Sequence, residues 1–341
     1  MNTAESGLNV TRNEVVLATD AKGAFMAHVA IVSLLRAVKS RRPTRINLFT
    51  SGFGDEERAK IQRSVDEYDF AQIRFIDAIP AMNPYMDMLE KLRGNFSVMT
   101  WARCFIDKLL DDVRGKVLYI DTDVFVVDDV SKLLDEPMDG CFFAAKPETV
   151  PANSKGPGGR YQRLGLGEEF KFYFNAGVMV FDLDAYRAGG GGARLAKIVA
   201  EYIDRIGAPD QDALNLFAGG KVRGFHPRWN FNDGWLDRQF KYRIGKGRYH
   251  GRDPLEMLSA IVSPGIIHYM GSQKPWRANH RPERFRYERL MRELGYLNTR
   301  YLPGMTLGKY LSIKFYDVWH VIMRAIVRLR LAVYRATRRS S

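Results

Sequence analysis

The stretch VLYIDTDVFVV, residues 117–127, contains two aspartates that interrupt a run of β-branched, aromatic and other apolar residues. The apolar run predicts a buried strand over 116–120, and Asp121 and Asp123 follow directly at its carboxyl end. In an open α/β sheet, ligands bind outside the carboxyl ends of the strands. The stretch therefore predicts an α/β fold and a binding site at the end of this strand.

Two carboxylates at the end of a buried strand require a cation, because like charges in a low dielectric would otherwise raise each other's pKa. Oxygen ligands suit Mg²⁺ or Mn²⁺, and an additional imidazole favours Mn²⁺. A metal held there binds a diphosphate and neutralises the charge that develops as the diphosphate leaves. The pairs Asp182/Asp184 and Asp210/Asp212 have the same spacing but do not interrupt an apolar run of this kind. An Asp-x-Asp pair by itself is typical of a turn or a helix cap.

On both sides of this stretch, strand-like apolar runs alternate with helical patterns, which is typical of an α/β sheet with crossover helices. Residues 151–167 are rich in Gly, Pro and basic residues and predict a long loop, and Gly189–Gly192 predicts a flexible turn. Ser97 is the expected N-cap of the helix that follows it. The predicted strands cover 15–19, 46–50, 73–76, 116–120 and 172–181. The predicted helices cover 27–38, 55–68, 97–110, 195–206 and 211–217.

Composition predicts a globular body with a basic appendage. Of the 341 residues, 46% are hydrophobic and 27% charged, which is enough to bury a core and excludes wholesale disorder. Residues 277–341 contain 15 basic and 4 acidic residues and so carry +11 of the formal charge of +13. The nearly neutral body argues against nucleic acid as a partner. Two cysteines, Cys104 and Cys141, exclude a disulfide framework.

The compartment expected from the sequence is the cytoplasm. The first residues lack a basic segment followed by an apolar run, so no secretory signal is predicted. No run of 18 uncharged apolar residues occurs, which argues against a spanning helix.

The end of the sequence has the pattern of a helix that lies on a membrane surface. Apolar residues recur at three- and four-residue spacings and fall on one helical face: Phe315, Val318, Trp319, Ile322, Ile326, Leu329 and Val333. Basic residues are expected mostly on the opposite side, with aromatic residues at the interface: Lys314, Arg324, Arg328, Arg335 and Arg339, and Tyr316, Trp319 and Tyr334. This pattern favours an anionic membrane surface as partner. The alternative is a helix packed on the body or on another protein.

Three further segments contain side chains that suit a site at the strand end. In IIHYMGSQKPW, residues 266–276, His268 ends an apolar run, Gly271 permits close backbone approach and Lys274 suits a phosphate. The other two segments are FNAG, residues 174–177, and DQD, residues 210–212. Taken singly, His268 is more often a buried histidine than a ligand, FNAG a turn or bulge, and DQD the first turn of a helix.

Taken together and in this order, six segments resemble the retaining, nucleotide-sugar-dependent glycosyltransferases of family 8. That family includes bacterial lipopolysaccharide galactosyl- and glucosyltransferases and glycogenin. Each segment is weak alone, but six in register are specific. The resemblance covers about residues 15–276 and implies a GT-A fold. The segments are LATD (17–20), TWARCF (100–105), VLYIDTDVFV (117–126), FNAGVMVFDL (174–183), DQDALN (210–215) and IIHYMGSQKPW (266–276).

The resemblance also implies a domain organisation and the role of each site residue. A single α/β domain would cover residues 13–285, and a basic region, 286–341, would contain the amphipathic helix at about 311–339. Asp121, Asp123 and His268 would bind Mn²⁺, or Mg²⁺, which bridges the diphosphate of the nucleotide-sugar. The other donor-binding residues would be Lys274 and Gly271 at the diphosphate, Asp20 at the nucleoside, and Arg103, Asn175, Ala176, Asp210 and Gln211 around the sugar. The catalytic candidates are Asn175, Asp210 and Gln211.

One departure from the family concerns the nucleobase. An aromatic residue shortly after the first-strand acid often stacks on uracil in the family, but the segment ATDAKGAF, residues 18–25, has Gly23 at that position. Phe25 is the candidate replacement, and a UDP-galactose or UDP-glucose donor is the expectation. The loop 151–167 is the candidate acceptor site. The basic tail resembles those of family members that act on lipid-linked acceptors at the inner face of a membrane.

The predicted activity is transfer of a hexose to a glycan or lipid-linked saccharide with retention of the anomeric configuration. Because the Gln211 amide is a poor nucleophile, a front-face route is preferred, in which the leaving phosphate helps to deprotonate the acceptor and Asp210 orients the sugar. A nucleotidyltransferase would usually need a Gly-rich phosphate loop, which residues 20–25 do not form. The other alternative is an inactive family member that binds carbohydrate or acts as a scaffold at a membrane, and the presence of all three metal ligands and Lys274 argues against it.

Overall fold

A computed structural model describes residues 12–94, 96–148, 159–167, 170, 172–232, 254–272, 274–277, 283–297 and 305–339. The strands within these ranges are β1 (Asn13–Asp20), β2 (Thr44–Ser51), β3 (Ala71–Asp77), β4 (Lys116–Ile120), β5 (Val124–Val126), β6 (Phe143–Pro147), β7 (Phe174–Asp182), β8 (Val222–Gly224), β9 (Phe231–Asn232) and β10 (Ile266–His268). The α-helices are α1 (Ala24–Ala37), α2 (Asp55–Asp66), α3 (Ile79–Met82), α4 (Met86–Leu92), α5 (Ile106–Leu109), α6 (Ser131–Leu134), α7 (Arg160–Leu164), α8 (Leu183–Ala188), α9 (Gly191–Glu201), α10 (Pro209–Ala218), α11 (Pro254–Val262), α12 (Arg284–Glu293) and α13 (Leu307–Arg339).

The main sheet has seven strands in the order β3-β2-β1-β4-β7-β6-β8. The first four in that order are parallel neighbours, and β7 runs antiparallel to both β4 and β6. The central strands are apolar and buried because helices cover both faces of a sheet joined by crossovers. The α/β fold class predicted from the sequence is thereby confirmed.

A smaller sheet, in the order β5-β10-β9, brings a distant segment to the end of β4. Strand β10 pairs antiparallel with β5, so that His268 lies opposite Val124, the residue after Asp123. On its other edge β10 runs parallel to β9, with His268 opposite Asn232. The register of these short strands therefore sets the imidazole beside the two aspartates.

Most predicted elements agree with the structure to within a few residues, and three details differ. The segment predicted as one helix over 97–110 is a 3₁₀ helix, Val98–Phe105, followed by α5, although Ser97 caps it as expected. Gly191 and Gly192 begin α9 instead of forming a flexible turn, and the backbone N–H of Gly192 donates to Asp107 Oδ1 at 3.1 Å. Within the predicted loop 151–167, Arg160–Leu164 is helical, and residues 151–158 lie outside the described residues.

The C-terminal helix α13 begins at Leu307 and packs on α11 through one stripe of buried residues, Ile313, His320, Met323, Val327 and Leu331. The apolar face predicted from the sequence points away from the body and is exposed. Arg324 lies opposite the apolar face, as expected, but that side of the helix packs on the body, where Arg324 pairs with the buried Glu283 at 2.7 Å. Among the described residues, no helix is long and apolar enough to cross a membrane.

Candidate active site

Asp121, Asp123 and His268 converge at the carboxyl end of β4. His268 Nε2 lies 3.1 Å from Asp123 Oδ1 and 3.7 Å from Asp121 Oδ2, and one ligand atom from each residue lies within 4.8 Å of the others. The imidazole is buried while both carboxylates are partly exposed. The two carboxylates and the imidazole therefore form an open-sided donor set, in which His268 comes from a segment far along the chain from the two aspartates.

The imidazole is oriented by a chain of hydrogen bonds that starts at a backbone amide. Gly177 N donates to Asn175 Oδ1 (3.0 Å), so this atom is the carbonyl oxygen of the side chain. Asn230 Nδ2 donates to the same oxygen (2.8 Å), which turns Asn230 Oδ1 toward His268 Nδ1 at 2.9 Å. His268 must therefore carry a proton on Nδ1, which leaves Nε2, the nitrogen that faces the two aspartates, as the one that can bind a metal.

These residues fit a divalent metal. Two carboxylate oxygens and a neutral imidazole are ligands that suit Mn²⁺, and a hydrogen-bonded outer ring nitrogen is typical of a metal-binding histidine. Gly177 lies directly beneath the group: a Cβ there would stand 2.6 Å from Asp121 Oδ2 and 2.9 Å from His268 Nδ1. The backbone thus leaves no room for a side chain under the ligand atoms.

Lys274 places a positive charge beside the metal-binding group. Its Nζ contacts Asp123 Oδ2 and donates to the backbone oxygen of Tyr269 at 2.9 Å. Burial opposes ionisation of Asp123, but His268 and Lys274 outweigh it and bring the pKa of Asp123 below its ordinary value. Gly271, with φ of 86°, makes the turn between His268 and Lys274, and a Cβ there would meet no atom within 4 Å.

Arg103 joins the metal-binding group to the DQD segment. It is buried, and its guanidinium reaches Asp121 Oδ1 (2.6 Å), Asp210 Oδ2 (3.0 Å) and the backbone oxygen of Ala176 (2.7 Å). Burial raises the pKa of Asp210, an effect that Arg103 opposes and Asp121 reinforces. Thr100 donates to Asp210 Oδ1 at 3.0 Å. One cation therefore holds two carboxylates from separate motifs in a single cluster.

The side chain of Gln211 is held in one orientation. Its Oε1 accepts from the backbone N–H of Ala176 (3.1 Å) and from Asn175 Nδ2 (2.9 Å), so Nε2 points the other way. Nε2 donates to Tyr173 Oη at 3.1 Å and lies 3.4 Å from Glu148 Oε1. The Gln211 carbonyl oxygen therefore already accepts two hydrogen bonds.

Asp20 ends β1, and Phe25 lies in the first turn of α1. Asp20 Oδ2 accepts from Ser97 Oγ (2.7 Å), and Oδ1 caps the 3₁₀ turn Ala21–Gly23. Phe25 packs edge-on against Trp276, with ring centroids 5.5 Å apart. Gly23 is buried, and a Cβ there would collide with Thr19 Oγ1 and stand 3.1 Å from Met26 Cε. Gly23 thus has no room for the aromatic side chain that the family often carries.

The structure adds residues that the motifs did not indicate. Asn230 orients His268, and it lies in a 3₁₀ turn, 38 positions before it, with no sequence signal. Glu148, at the end of β6, was equally unmarked. Tyr173 directly precedes FNAG, so its place in the sequence was a usable signal. Its hydroxyl donates to the fully buried Asp212 at 2.6 Å, which fixes the position of the oxygen that Gln211 contacts.

Comparisons with known proteins address the family and the fold. A family model described as "Glycosyl transferase family 8" matches residues 14–280. The crystal structure of the galactosyltransferase LgtC in complex with donor and acceptor sugar analogs aligns with a TM-score of 0.68 at 25% sequence identity, over 87% of this chain and 99% of that chain. The expected GT-A fold is confirmed by this alignment.

Two curated relatives are similar over most of the chain. General stress protein A of Bacillus subtilis (strain 168) is 26% identical over 267 residues, which is 75% of this chain and 86% of the relative. Lipopolysaccharide 1,3-galactosyltransferase of Salmonella typhimurium (strain LT2) is 22% identical over 270 residues, which is 74% of this chain and 70% of the relative.

Proposed function

The chain belongs to glycosyl transferase family 8, and on that premise we propose that it transfers a hexose from UDP-galactose or UDP-glucose to a glycan or lipid-linked saccharide. The anomeric configuration would be retained. The observation that carries the proposal is the convergence of Asp121, Asp123 and His268, with Lys274 beside them, at the carboxyl end of β4. A metal and a cation at one place suit a diphosphate, and the four residues would supply a metal site and the cation.

Asp121, Asp123 and His268 would hold Mn²⁺, or Mg²⁺, which would neutralise the diphosphate as the sugar departs. Asn230 Oδ1 accepts from His268 Nδ1, and this hydrogen bond would keep Nε2 directed at the metal. Lys274 would exchange its contact with Asp123 for a phosphate oxygen. Once the donor and metal were bound, these groups would be held in place and would stabilise the developing charge, which is electrostatic catalysis.

The hydrogen bonds of Gln211 favour a front-face route to the retained product. Its carbonyl oxygen accepts from the Ala176 N–H and from Asn175, so attack on the sugar by this oxygen would require both bonds to be given up. The amide Nε2, turned toward Tyr173 and Glu148, is a donor and has no lone pair to offer. We therefore assign Gln211, Asn175 and Asp210 to positioning the donor sugar, while the departing phosphate deprotonates the acceptor hydroxyl.

The exposed face of α13 supports attachment to an anionic membrane surface. Nine apolar side chains on this face are between 38% and 72% exposed: Leu307, Leu311, Phe315, Val318, Trp319, Ile322, Ile326, Leu329 and Val333. An α-helix has 3.6 residues per turn, and at that spacing this stripe lies on the side of α13 opposite the buried stripe that packs on the body. Lys314, Arg328 and Arg335 are also exposed on α13 and provide the positive charge that anionic lipid attracts. The inner face of a membrane is the corresponding location.

The transfer activity is tested by the release of UDP from UDP-galactose and UDP-glucose in Mn²⁺ and in EDTA. We expect hydrolysis or transfer with one of these donors in Mn²⁺, and proton NMR of the product to show the anomeric configuration of the donor. Asp123→Asn should abolish the reaction. Asp184→Asn is the matched control, since it alters another Asp-x-Asp pair, on a partly exposed helix, and should retain activity. Absence of turnover with both donors, or full activity of Asp123→Asn, contradicts the proposal.

The membrane attachment is tested by sedimentation with vesicles that contain phosphatidylglycerol. The variant Trp319→Ser/Ile322→Ser should lose binding, whereas Val321→Ser, about 100° around the helix, should keep it. The same variants are compared by analytical ultracentrifugation. If the parent protein is a dimer that only the double variant dissociates, and vesicle binding is unchanged, then the stripe binds a second copy and the membrane assignment is wrong.

A further inference from the structure

Tyr269 links the proposed donor site to the start of helix α12. It directly follows His268, and its backbone N–H donates to the backbone oxygen of Asp123 at 3.0 Å. Its own backbone oxygen accepts from Lys274 Nζ at 2.9 Å. The phenol ring is fully buried, and its hydroxyl donates to the backbone oxygen of Glu283 at 3.0 Å. Tyr269 is therefore fixed at both ends, by its backbone at the site and by its hydroxyl at the start of α12.

The backbone of Glu283 is held in place by its side chain. Its φ of 58° lies in the left-handed region, which a residue with a Cβ adopts at a cost in free energy. The buried carboxylate pairs with Arg286 Nε of α12 and with Arg324 Nη1 of α13, both at 2.7 Å. A buried ion pair adds little net stability, because both charges lose their hydration, but it can fix the position of the groups that it joins. The pair with Arg324 therefore ties the carbonyl that receives the Tyr269 hydroxyl to helix α13.

The Tyr269 carbonyl becomes more important to Lys274 once a donor is bound. Among the described residues, Lys274 Nζ donates to Asp123 Oδ2 and to this carbonyl. In the proposed function, Lys274 exchanges its contact with Asp123 for a phosphate oxygen, and the Tyr269 carbonyl is the contact that continues to direct the ammonium group. A lysine side chain loses much rotamer freedom when it is held on a ligand, so an acceptor that already restrains it lowers the entropic cost of binding.

We propose that helix α13 positions the phosphate-binding Lys274 through a tether of three other residues. Arg324 holds Glu283, whose carbonyl holds the Tyr269 hydroxyl, and the Tyr269 carbonyl in turn directs the ammonium group. These three are positioning residues, since none of them would touch the phosphate. The inference rests on the proposed function, which supplies the diphosphate.

The tether is tested by calorimetric titration of UDP in Mn²⁺ into variants made alone and together with Lys274→Met. We expect Lys274→Met to weaken UDP binding about 10- to 100-fold, the usual effect of losing a hydrogen bond to a charged group. Tyr269→Phe, which keeps the buried ring, and Arg324→Met should each weaken it about three- to tenfold, and neither by more than Lys274→Met does. Because both act through the ammonium group, neither should weaken binding further in the Lys274→Met protein.

One rescue variant and two matched controls accompany these proteins. Arg324→Lys keeps the positive charge and should restore most of the binding lost in Arg324→Met. Tyr202→Phe, at the end of α9, and Arg330→Met, at an exposed position of α13, should bind UDP like the parent. Mn²⁺ titrated without nucleotide should bind the tether variants as it binds the parent, because His268 is oriented by Asn230. Melting temperatures verify that each variant is folded at the assay temperature.

The titrations separate failure of the tether from failure of the proposed function. If Lys274→Met weakens UDP binding but Tyr269→Phe and Arg324→Met do not, the tether is wrong and the proposed function stands. If the tether variants weaken UDP binding equally with and without Lys274, or weaken the binding of Mn²⁺ alone, they act on the fold or the metal site and the tether is again wrong. If the parent binds no UDP in Mn²⁺, or Lys274→Met binds it like the parent, the proposed donor site is wrong and this inference fails with it.

Discussion

The substitution Gly177→Ala adds a single methyl group directly beneath two of the proposed metal ligands. Gly177 lies beneath Asp121 and His268, and its backbone N–H begins the hydrogen-bond chain that orients the imidazole. The substitution keeps that N–H and changes no charge. Its whole effect comes from the space that the methyl group takes from the two ligand side chains.

The magnitude follows from the distances. The added Cβ would stand 2.6 Å from Asp121 Oδ2, whereas ordinary contact begins at 3.4 Å, so the carboxylate must retreat by about 0.8 Å. The His268 ring, which is still closer to the Cβ, must move further. Ligand groups have to be held within about 0.5 Å of their working positions, and misplacement by about 1 Å costs about 100-fold in rate. We expect about that loss in kcat/KM and weaker Mn²⁺ binding, with about 1–3 kcal/mol lost from the free energy of unfolding.

The assay combines three measurements on the variant: steady-state release of UDP from the donor, titration of Mn²⁺ followed by electron paramagnetic resonance, and urea unfolding. Gly308→Ala serves as the control, because a Cβ there meets no atom within 4 Å. It should match the parent in all three. A Gly177→Ala protein that is folded, binds Mn²⁺ like the parent and turns over at the parent rate would refute the assignment of Asp121 and His268 to one metal ion.

Three further predictions concern single side chains. Burial, with a smaller effect from Lys60, lowers the pKa of His28 from 6.5 to about 4, so the unfolded chain binds a proton that the folded protein excludes. Urea titrations should therefore show that the free energy of unfolding falls by about 3 kcal/mol between pH 6.5 and pH 4. His28→Gln should lack this decrease, and equal pH dependence in both proteins would contradict the prediction. Asn230→Ala removes the acceptor of the His268 Nδ1 proton and should weaken Mn²⁺ binding about 10- to 100-fold in a metal titration, while unchanged binding would show that the tautomer is set elsewhere. Tyr173→Phe removes the hydroxyl that Gln211 Nε2 contacts and should lower kcat about tenfold with little change in the KM for the donor, a split that steady-state kinetics measures and that a purely structural defect would not produce.

The sheet and the convergence of the motifs were predictable because they depend on local pattern. The run 116–120 is bounded by a turn on one side and acids on the other, so strand β4 was predicted with the bounds that the structure has. Strands β1 and β4 are parallel neighbours, and parallel strands end at a common edge, so Asp20 and Asp121 lie at the same edge of the sheet. The position of His268 beside Asp123 was implied by the resemblance, and the register of β5 and β10 now gives its physical basis.

The remaining features depend on contacts between distant segments, for which the sequence carries no signal. Asn230 orients His268 only because β9 and β10 are neighbours. In α13, helical periodicity correctly groups apolar residues on one face but does not tell which face packs on the body. The sequence therefore puts Arg324 opposite the apolar face without showing that this side packs on the body, where Glu283, forty-one positions earlier, holds it.

The central claim is that a nucleoside diphosphate binds through a metal held by Asp121, Asp123 and His268, and the metal dependence of UDP binding tests it most directly. The melting temperature is measured with UDP in Mn²⁺ and with UDP in EDTA, against Mn²⁺ alone. UDP at about 100 times its Kd should add about 2.7 kcal/mol to the stability in Mn²⁺ and raise the melting temperature, with little or no rise in EDTA. An equal rise in EDTA, or no rise under either condition, would contradict the claim.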